Sequence, residues 1–270
     1  MSPFLGMIAI MAFVARNIAL CISAPLRSLF GFWPVPLVML FLDNSLGSRI
    51  ACMDALIAVG GTAIIFLYAL KQGKGTSLAL MYATLLLAGY GLLRFQFFGA
   101  YQIKLFEDGL KIMNTQFPSL TQAANTATML QVWKAILPSM WIVGQSLGLV
   151  IGFLIFQKQI GTPYILSGLR FPWWYNLIII AVIPLYLADQ FKLISVNALI
   201  ALCIIPLLQG LGLCWRWMIN VFSNRWAAGI LTIIIVLYGF ILLILLGFAD
   251  MWLNARNHYN GGIPHESNHA

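Results

Sequence analysis

Two aspartates, Asp54 and Asp189, are the residues of this chain best suited by type to acid–base chemistry, because two carboxyl groups in unlike surroundings can give and take a proton in turn. Neither stands in an intramembrane aspartyl-protease motif, and the plainer reading of each is a boundary residue or one half of an ion pair. Nucleophilic chemistry has one candidate, Gly144-Gln-Ser-Leu-Gly148, which has the G-x-S-x-G spacing of a nucleophile elbow. That motif needs a strand-to-helix turn and a histidine partner. Here it lies inside a long apolar run, and all three histidines, His258, His265 and His269, follow Arg256. No imidazole is therefore available inside an apolar run to ligate haem or zinc or to relay a proton. Cys21, Cys52, Cys203 and Cys214 lie in or beside apolar runs at spacings unlike a C-x-x-C site, and read as buried thiols. There is no P-loop or dinucleotide fingerprint. The sequence thus assigns no catalytic residue, no metal and no cofactor, and the expectation is a chain that is not an enzyme.

The elements that must position these residues are long and apolar. Of 270 residues, 61% are hydrophobic and 8% charged, against about a quarter charged in soluble domains. Lys192 to Arg216 encloses 23 uncharged residues, Arg225 to Asp250 encloses 24 and Lys134 to Lys158 encloses 23, each more than the roughly 20 that a helix needs to cross a hydrocarbon core. The net charge of +8 comes from Lys and Arg spread singly. This pattern favours anionic lipid head groups as a partner over nucleic acid.

In chain order, Pro3 to about Ile22 forms a first span, with no basic stretch ahead of it that would mark a cleaved signal peptide. Arg16 within it must snorkel, pair or face a polar interior, and Ala15, Ala19 and Ser23 make a small-residue stripe for helix packing. The prolines Pro34 and Pro36 make 28–42 either a crossing or a re-entrant element. Asp54 to Lys71 and Lys74 to Arg94 form a hairpin about the turn-like Lys71-Gln-Gly-Lys-Gly75. Residues 96–134 read as an amphipathic, polar insertion between spans. Phe106, Leu110, Met113 and Phe117 share one helical face there, with Lys104–Asp108 and Glu107–Lys111 as i,i+4 ion pairs. Gly144, Gly148 and Gly152 give the next span a face for close packing. Phe171-Pro-Trp-Trp-Tyr175 begins another at the interface, and Pro206 should kink the one that carries Gln209.

The expectation is an all-α polytopic membrane bundle of about seven or eight transmembrane helices, one integral domain over 1–256 with a disordered polar tail at 257–270. The weak excess of Lys and Arg on the side of Arg94, Lys104, Lys134 and Arg256 places the C-terminus in the cytoplasm. Candidate pocket residues are Arg16, Asp54, Asp189 and Gln209. Candidate partner-surface residues are Ala15 and Ala19 on the first helix, and Lys104 and Lys111 on the amphipathic segment.

Leu208-Gln-Gly-Leu-Gly212, together with Leu246-Gly-Phe-Ala-Asp-Met-Trp-Leu-Asn-Ala-Arg256, resembles the Gln-Gly and terminal Gly-x-x-Asp-x-Trp-x-x-x-Arg pattern of the YybS-like bacterial membrane proteins. The terminal pattern is carried by Asp250, Trp252 and Arg256, and Leu137-Pro-Ser139 also fits. The resemblance covers Lys134 to Arg256. It implies a bacterial inner-membrane, multi-pass protein distantly like the substrate-binding subunits of energy-coupling-factor transporters, which rely on separate ATPase and coupling subunits. In those subunits an Ala-x-x-x-Ala stripe on the first helix meets the coupling subunit; Ala15 and Ala19 would be its counterpart. The leading expectation is thus a solute-binding, transporter-like membrane subunit without its own ATPase. The alternative is a non-transporting scaffold or envelope-assembly factor working through Gln102 to Phe117. A lipid-modifying enzyme would require Asp54 and Asp189 to meet in one cleft.

Overall fold

The computed structural model describes residues 3–20, 25–116, 127–161, 168–222 and 224–253. Among them there is no strand, and the elements are α1 (Pro3–Ala19), α2 (Pro25–Phe30), α3 (Pro34–Leu42), α4 (Leu46–Lys71), α5 (Gly75–Gln116), α6 (Ala127–Gln159), α7 (Tyr175–Val182), α8 (Lys192–Leu202), α9 (Ile204–Val221) and α10 (Arg225–Leu253). Contacts gather the chain into two compact units: Met1–Tyr164 with Val182–Leu202, and Ile165–Ala181 with Cys203–Ala270. The Ser23 position and the tail at 257–270 lie outside the described residues.

Five helical stretches are long and apolar enough to cross a membrane: Leu46–Lys71, Gly75–Met113, Met129–Gln159, Asp189–Val221 and Trp226–Leu253. The sequence count of seven or eight also includes elements that are shorter here. α1 has 17 residues. α7 gives way at Ile183 to a 3-10 turn, because Pro184 has no N–H to continue the α ladder. Residues 28–42 form two short helices rather than one span, α2 ending in the turn before Pro34.

In the first unit α1 lies on the glycine face of α6. A Cβ on Gly148 would come within 3.0 Å of Phe4 Cδ2, and one on Gly152 within 2.9 Å of Met11 Cβ. Gly144, the third member of that face, has nothing within 4 Å. Below this contact Phe66 of α4 meets Phe153 and Phe156 of α6 edge-on, at 6.0 and 5.2 Å between centroids. α4 and α5 form the expected hairpin, whose turn uses Gly73 and Gly75 at φ +70° and +75°, where a Cβ would be strained. α4 starts at an N-cap, Ser45, whose hydroxyl accepts from the Ser48 N–H. Asp43 accepts from the Ser45 N–H and from both serine hydroxyls, which holds its carboxyl below the usual range, the Ser48 hydroxyl contributing most.

α5 runs for 42 residues, roughly 63 Å at 1.5 Å per residue. Residues 96–116 of the amphipathic segment therefore continue α5 without a break at Gly99 or Gly109, 127–134 belong to α6, and 117–126, with Phe117, lie outside the described residues. Its ion pairs also differ from the expected ones. Lys111 pairs with Asp108 at 3.0 Å, whereas Glu107 reaches Lys134 of α6 at 2.6 Å.

α6 contains Pro138, which cannot donate and disturbs the preceding turn. A side chain from α8 meets the backbone of this turn. Asn197 of α8 accepts from the Ser139 N–H at 2.9 Å and donates to the Ala135 carbonyl at 2.8 Å. Its amide also donates to Leu193, one turn back on α8.

In the second unit α9 and α10 pack through two glycines. A Cβ on Gly210 would strike the Leu243 carbonyl, and one on Gly247 the Pro206 carbonyl. The break ahead of Pro206 falls at Cys203, where α8 ends and α9 begins, because Pro206 cannot donate to the Leu202 carbonyl. α10 has a kink at Gly239 (φ −120°, ψ 22°) and exposes Ile233, Leu237, Tyr238, Ile241, Leu242 and Leu245, the apolar surface that lipid would cover in a bilayer.

The glycines and Asn197 make distinct predictions for equilibrium unfolding in mixed micelles. Gly210→Ala and Gly247→Ala each force backbone apart and should cost at least about 3 kcal/mol. Gly144→Ala should be neutral or stabilise by up to about 1 kcal/mol, as in any open helix position. Asn197→Leu should cost about 2–4 kcal/mol by removing the hydrogen bonds of Asn197 to Ser139, Ala135 and Leu193.

Candidate functional site

Asp54 is the ninth residue of α4 and opens a π-helical turn, Asp54–Gly61. Such wide turns recur at functional sites because they re-aim side chains without ending the helix. The Asp54 carboxylate is buried against α5, where Tyr90 and Arg94 stand one turn apart and so share a face. Arg94 grips it with two parallel bonds, Nε to Oδ1 at 2.6 Å and Nη2 to Oδ2 at 2.8 Å. The Tyr90 hydroxyl donates to Oδ1 at 2.8 Å. The guanidinium carbon lies 4.7 Å from the centre of the Trp141 ring on α6, a cation–π contact. Tyr90 packs against the same indole edge-on at 5.9 Å. Only 10% of the Arg94 side chain and 5% of the Asp54 side chain are exposed.

A cavity of about 330 Å³ adjoins this pair, lined by Gly47, Ile50, Asp54, Arg94, Tyr101 and Gln102 among others. A guanidinium has five N–H groups, and Asp54 takes two of those on Arg94. The rest make no hydrogen bond to any described residue, and neither do the Tyr101 hydroxyl and the Gln102 amide. The wall thus offers spare guanidinium N–H donors beside a hydroxyl and an amide that can each donate or accept.

The second unit holds the other cluster. Gln209 accepts from the Phe171 N–H at 3.1 Å and donates to Asp250 Oδ2 at 2.5 Å, which ties the segment ahead of α7 to the end of α10. Asn176 donates to the Phe248 carbonyl at 3.2 Å. Trp173 and Trp252 meet at 6.2 Å between rings, over a cleft of about 210 Å³ that also touches Arg170 and Asp250. Gln209 has both ends of its amide engaged in joining protein segments, so the cluster reads first as a clamp.

Of the three candidate pocket residues in the first unit, only Asp54 lines the Arg94 cavity. Asp54 is buried in its ion pair; Arg16 is exposed on α1, and Asp189 is exposed in the 3-10 turn before α8. Gln209 belongs to the second unit. Asp54 and Asp189 share no hydrogen bond, and Asp189 does not line the cavity beside Asp54. Ala15 is buried and Ala19 exposed. Lys104 and Lys111 are exposed, and Lys104 has no ion pair among the described residues. Asp250 and Trp252 of the terminal pattern meet Gln209 and Trp173, and Arg256 lies outside the described residues. Sequence reasoning left Tyr90, Trp141 and Tyr101 out of the pocket. The readable signal was the i,i+4 pair Tyr90 and Arg94 at the end of an otherwise uncharged run.

Compared with models of known protein families, with curated proteins and with solved structures, the chain has no significant match.

Removing one partner of a desolvated, bidentate pair leaves the other charge without compensation. Arg94→Met should therefore cost about 3–5 kcal/mol, and Asp54→Leu combined with Arg94→Met much less than either change alone. A double-mutant cycle of unfolding free energies measures the difference.

Proposed function

We propose that this chain is the solute-binding, transporter-like subunit of a bacterial inner-membrane system, without an ATPase of its own and working with a separate ATPase module. The observation that carries this reading is the cavity at Arg94. A solute carrier needs a concave space lined by a few convergent polar groups, and here unused N–H groups of a nearly buried arginine, a tyrosine hydroxyl and a glutamine amide line one cleft of about 330 Å³. Buried ionisable residues in apolar helices are costly and are functional candidates by default. In this reading α1 and Tyr175–Leu187 cross the membrane as well as the five longer helices, which makes seven crossings, and the C-terminus is cytoplasmic. The likeness of the Gln209 and Asp250 patterns to the YybS-like proteins points the same way.

One observation favours the scaffold reading. α5 continues well past the length a bilayer needs, and its distal part exposes Leu105, Ile112 and Met113 beside Lys104 and Lys111. A partner protein or the membrane surface would suit that face.

Native mass spectrometry of the protein released gently from its own membranes separates the two. Under the first reading a polar small molecule is retained in stoichiometric amount and lost in Tyr101→Phe, while Lys104→Glu with Lys111→Glu leaves it in place. Retention of lipids and proteins alone, with the partner proteins lost on that charge reversal, would replace the solute reading with the scaffold one.

A further inference from the structure

We infer that the cavity at Arg94 takes a small monoanion together with one proton, the anion on the guanidinium and the proton on Asp54. This rests on the solute-binding reading and adds to it the charge of the ligand and the identity of its co-ligand.

The first argument is hydrogen-bond capacity. The groups in the wall without a partner are the remaining Arg94 N–H groups, the Tyr101 hydroxyl and the Gln102 amide. The one charged acceptor in the wall, Asp54, already receives two bonds at Oδ1 and one at Oδ2. The spare guanidinium N–H groups can only donate, the hydroxyl and the amide can do either, and a planar guanidinium is best matched by a carboxylate or another oxyanion.

The second argument is charge. Asp54 and Arg94 are together neutral, so an anion placed beside them would leave one uncompensated negative charge against two side chains that are only 5% and 10% exposed. Two carboxylates that share such a site do not both stay ionised. Protonation of Asp54 removes the excess. The empty site holds Asp⁻ and Arg⁺, and the filled site holds AspH, Arg⁺ and the anion, so each is neutral and the proton comes from solvent. Without the proton the site would bear the desolvation cost of an unpaired charge.

The third argument is what stays in place during the exchange. Arg94 is held by the Trp141 ring at 4.7 Å as well as by Asp54, so it keeps a contact for its charge when the carboxylate is discharged. The Tyr90 hydroxyl can turn from donor to acceptor and receive the new acid proton. The titratable groups facing Asp54 are Arg94 and Tyr90 of α5, with Tyr101 across the cavity. α6 presents Trp141, which does not titrate. α1, which also packs on the π turn, carries only Arg16, and that is exposed. Arg49 of α4 is exposed and bonded to Asn44.

The test uses the full chain in detergent and acetate as the probe, whose charge is constant between about pH 6 and pH 8. Acetate should raise the unfolding temperature, with an apparent affinity that falls about tenfold for each pH unit of increase, as one co-bound proton requires. In weak buffer with an indicator dye, the wild-type protein should take up about one proton per acetate bound, a readout that needs no variant to fold. Asp54→Asn, if folded, should bind acetate with neither pH dependence nor proton uptake, and Tyr101→Phe should weaken binding without altering the proton count. Acetate binding that is equally strong at each pH without proton uptake overturns the inference, as does proton uptake that persists in Asp54→Asn. If acetate never binds while a neutral metabolite co-purifies and is lost in Tyr101→Phe, the anion and its proton are refuted and the solute reading stands. If neither binds, both fall.

Discussion

Inside an apolar bundle no water is at hand for a backbone group that loses its helical partner, and the cost of leaving it unpaired is several kcal/mol. The rest of the architecture depends on how that constraint is met at Pro138. Proline removes one donor from the α6 ladder, and next to it the Asn197 amide, which carries both a donor and an acceptor, accepts from the Ser139 N–H and donates to the Ala135 carbonyl. A side-chain amide places the donor and the acceptor on separate atoms of one short side chain, so it can meet two backbone groups at once. The contact also fixes α8 against α6, because the same amide is anchored to its own helix at Leu193. A local defect in one helix thereby becomes a specific contact between two. Gln209 follows the same logic in the second unit, where its carbonyl takes up the Phe171 N–H and its NH2 group meets Asp250.

Close backbone approach is the other means of cohesion. Apolar side chains gain little by leaving lipid for one another, so helices associate where small residues let their backbones touch. α1 meets α6 in this way at Gly148 and Gly152, and α9 meets α10 at Gly210 and Gly247, where each glycine faces a carbonyl of the other helix. Glycines of one type are not equivalent, however. Gly144 continues the same four-residue spacing as Gly148 and Gly152 but faces open space.

Much of this architecture is legible in the sequence, because it is written in hydrophobic length and glycine spacing. The α4–α5 hairpin, the packing face of α6 and the break ahead of Pro206 follow from local rules. Crossings were harder to count, since length between charges does not reveal that Pro184 turns α7 into a 3-10 segment. The amphipathic segment was read as a separate element because its composition changes, yet composition alone cannot end a helix that has no breaker, and α5 runs on into it. The candidate site was only half visible. Asp54 stood out as an acid near an apolar run, but its partners Arg94 and Tyr90 come from another helix, and pairing between helices has no periodic signature. Arg16 and Asp189 stood out for the same reason as Asp54 and are exposed, because a charge in or beside an apolar run can face outward as readily as inward.

The Asp54–Arg94 pair is poorly explained by stability alone. Taking both charges from water costs several kcal/mol per ion, and a well-packed apolar pair of similar size is often as stable or more so. A purely structural role would also favour full use of the arginine, yet only part of its donor capacity is spent on Asp54, and the remainder lines a cavity. The wide π turn that begins at Asp54 adds to this, because an unbroken α-helix would have served packing equally well. The arginine is held by an acid on one side and an indole on another, with donors left over. That asymmetry, more than the presence of charge in an apolar helix, distinguishes the Arg94 cavity from the Gln209 clamp, whose amide is engaged at both ends.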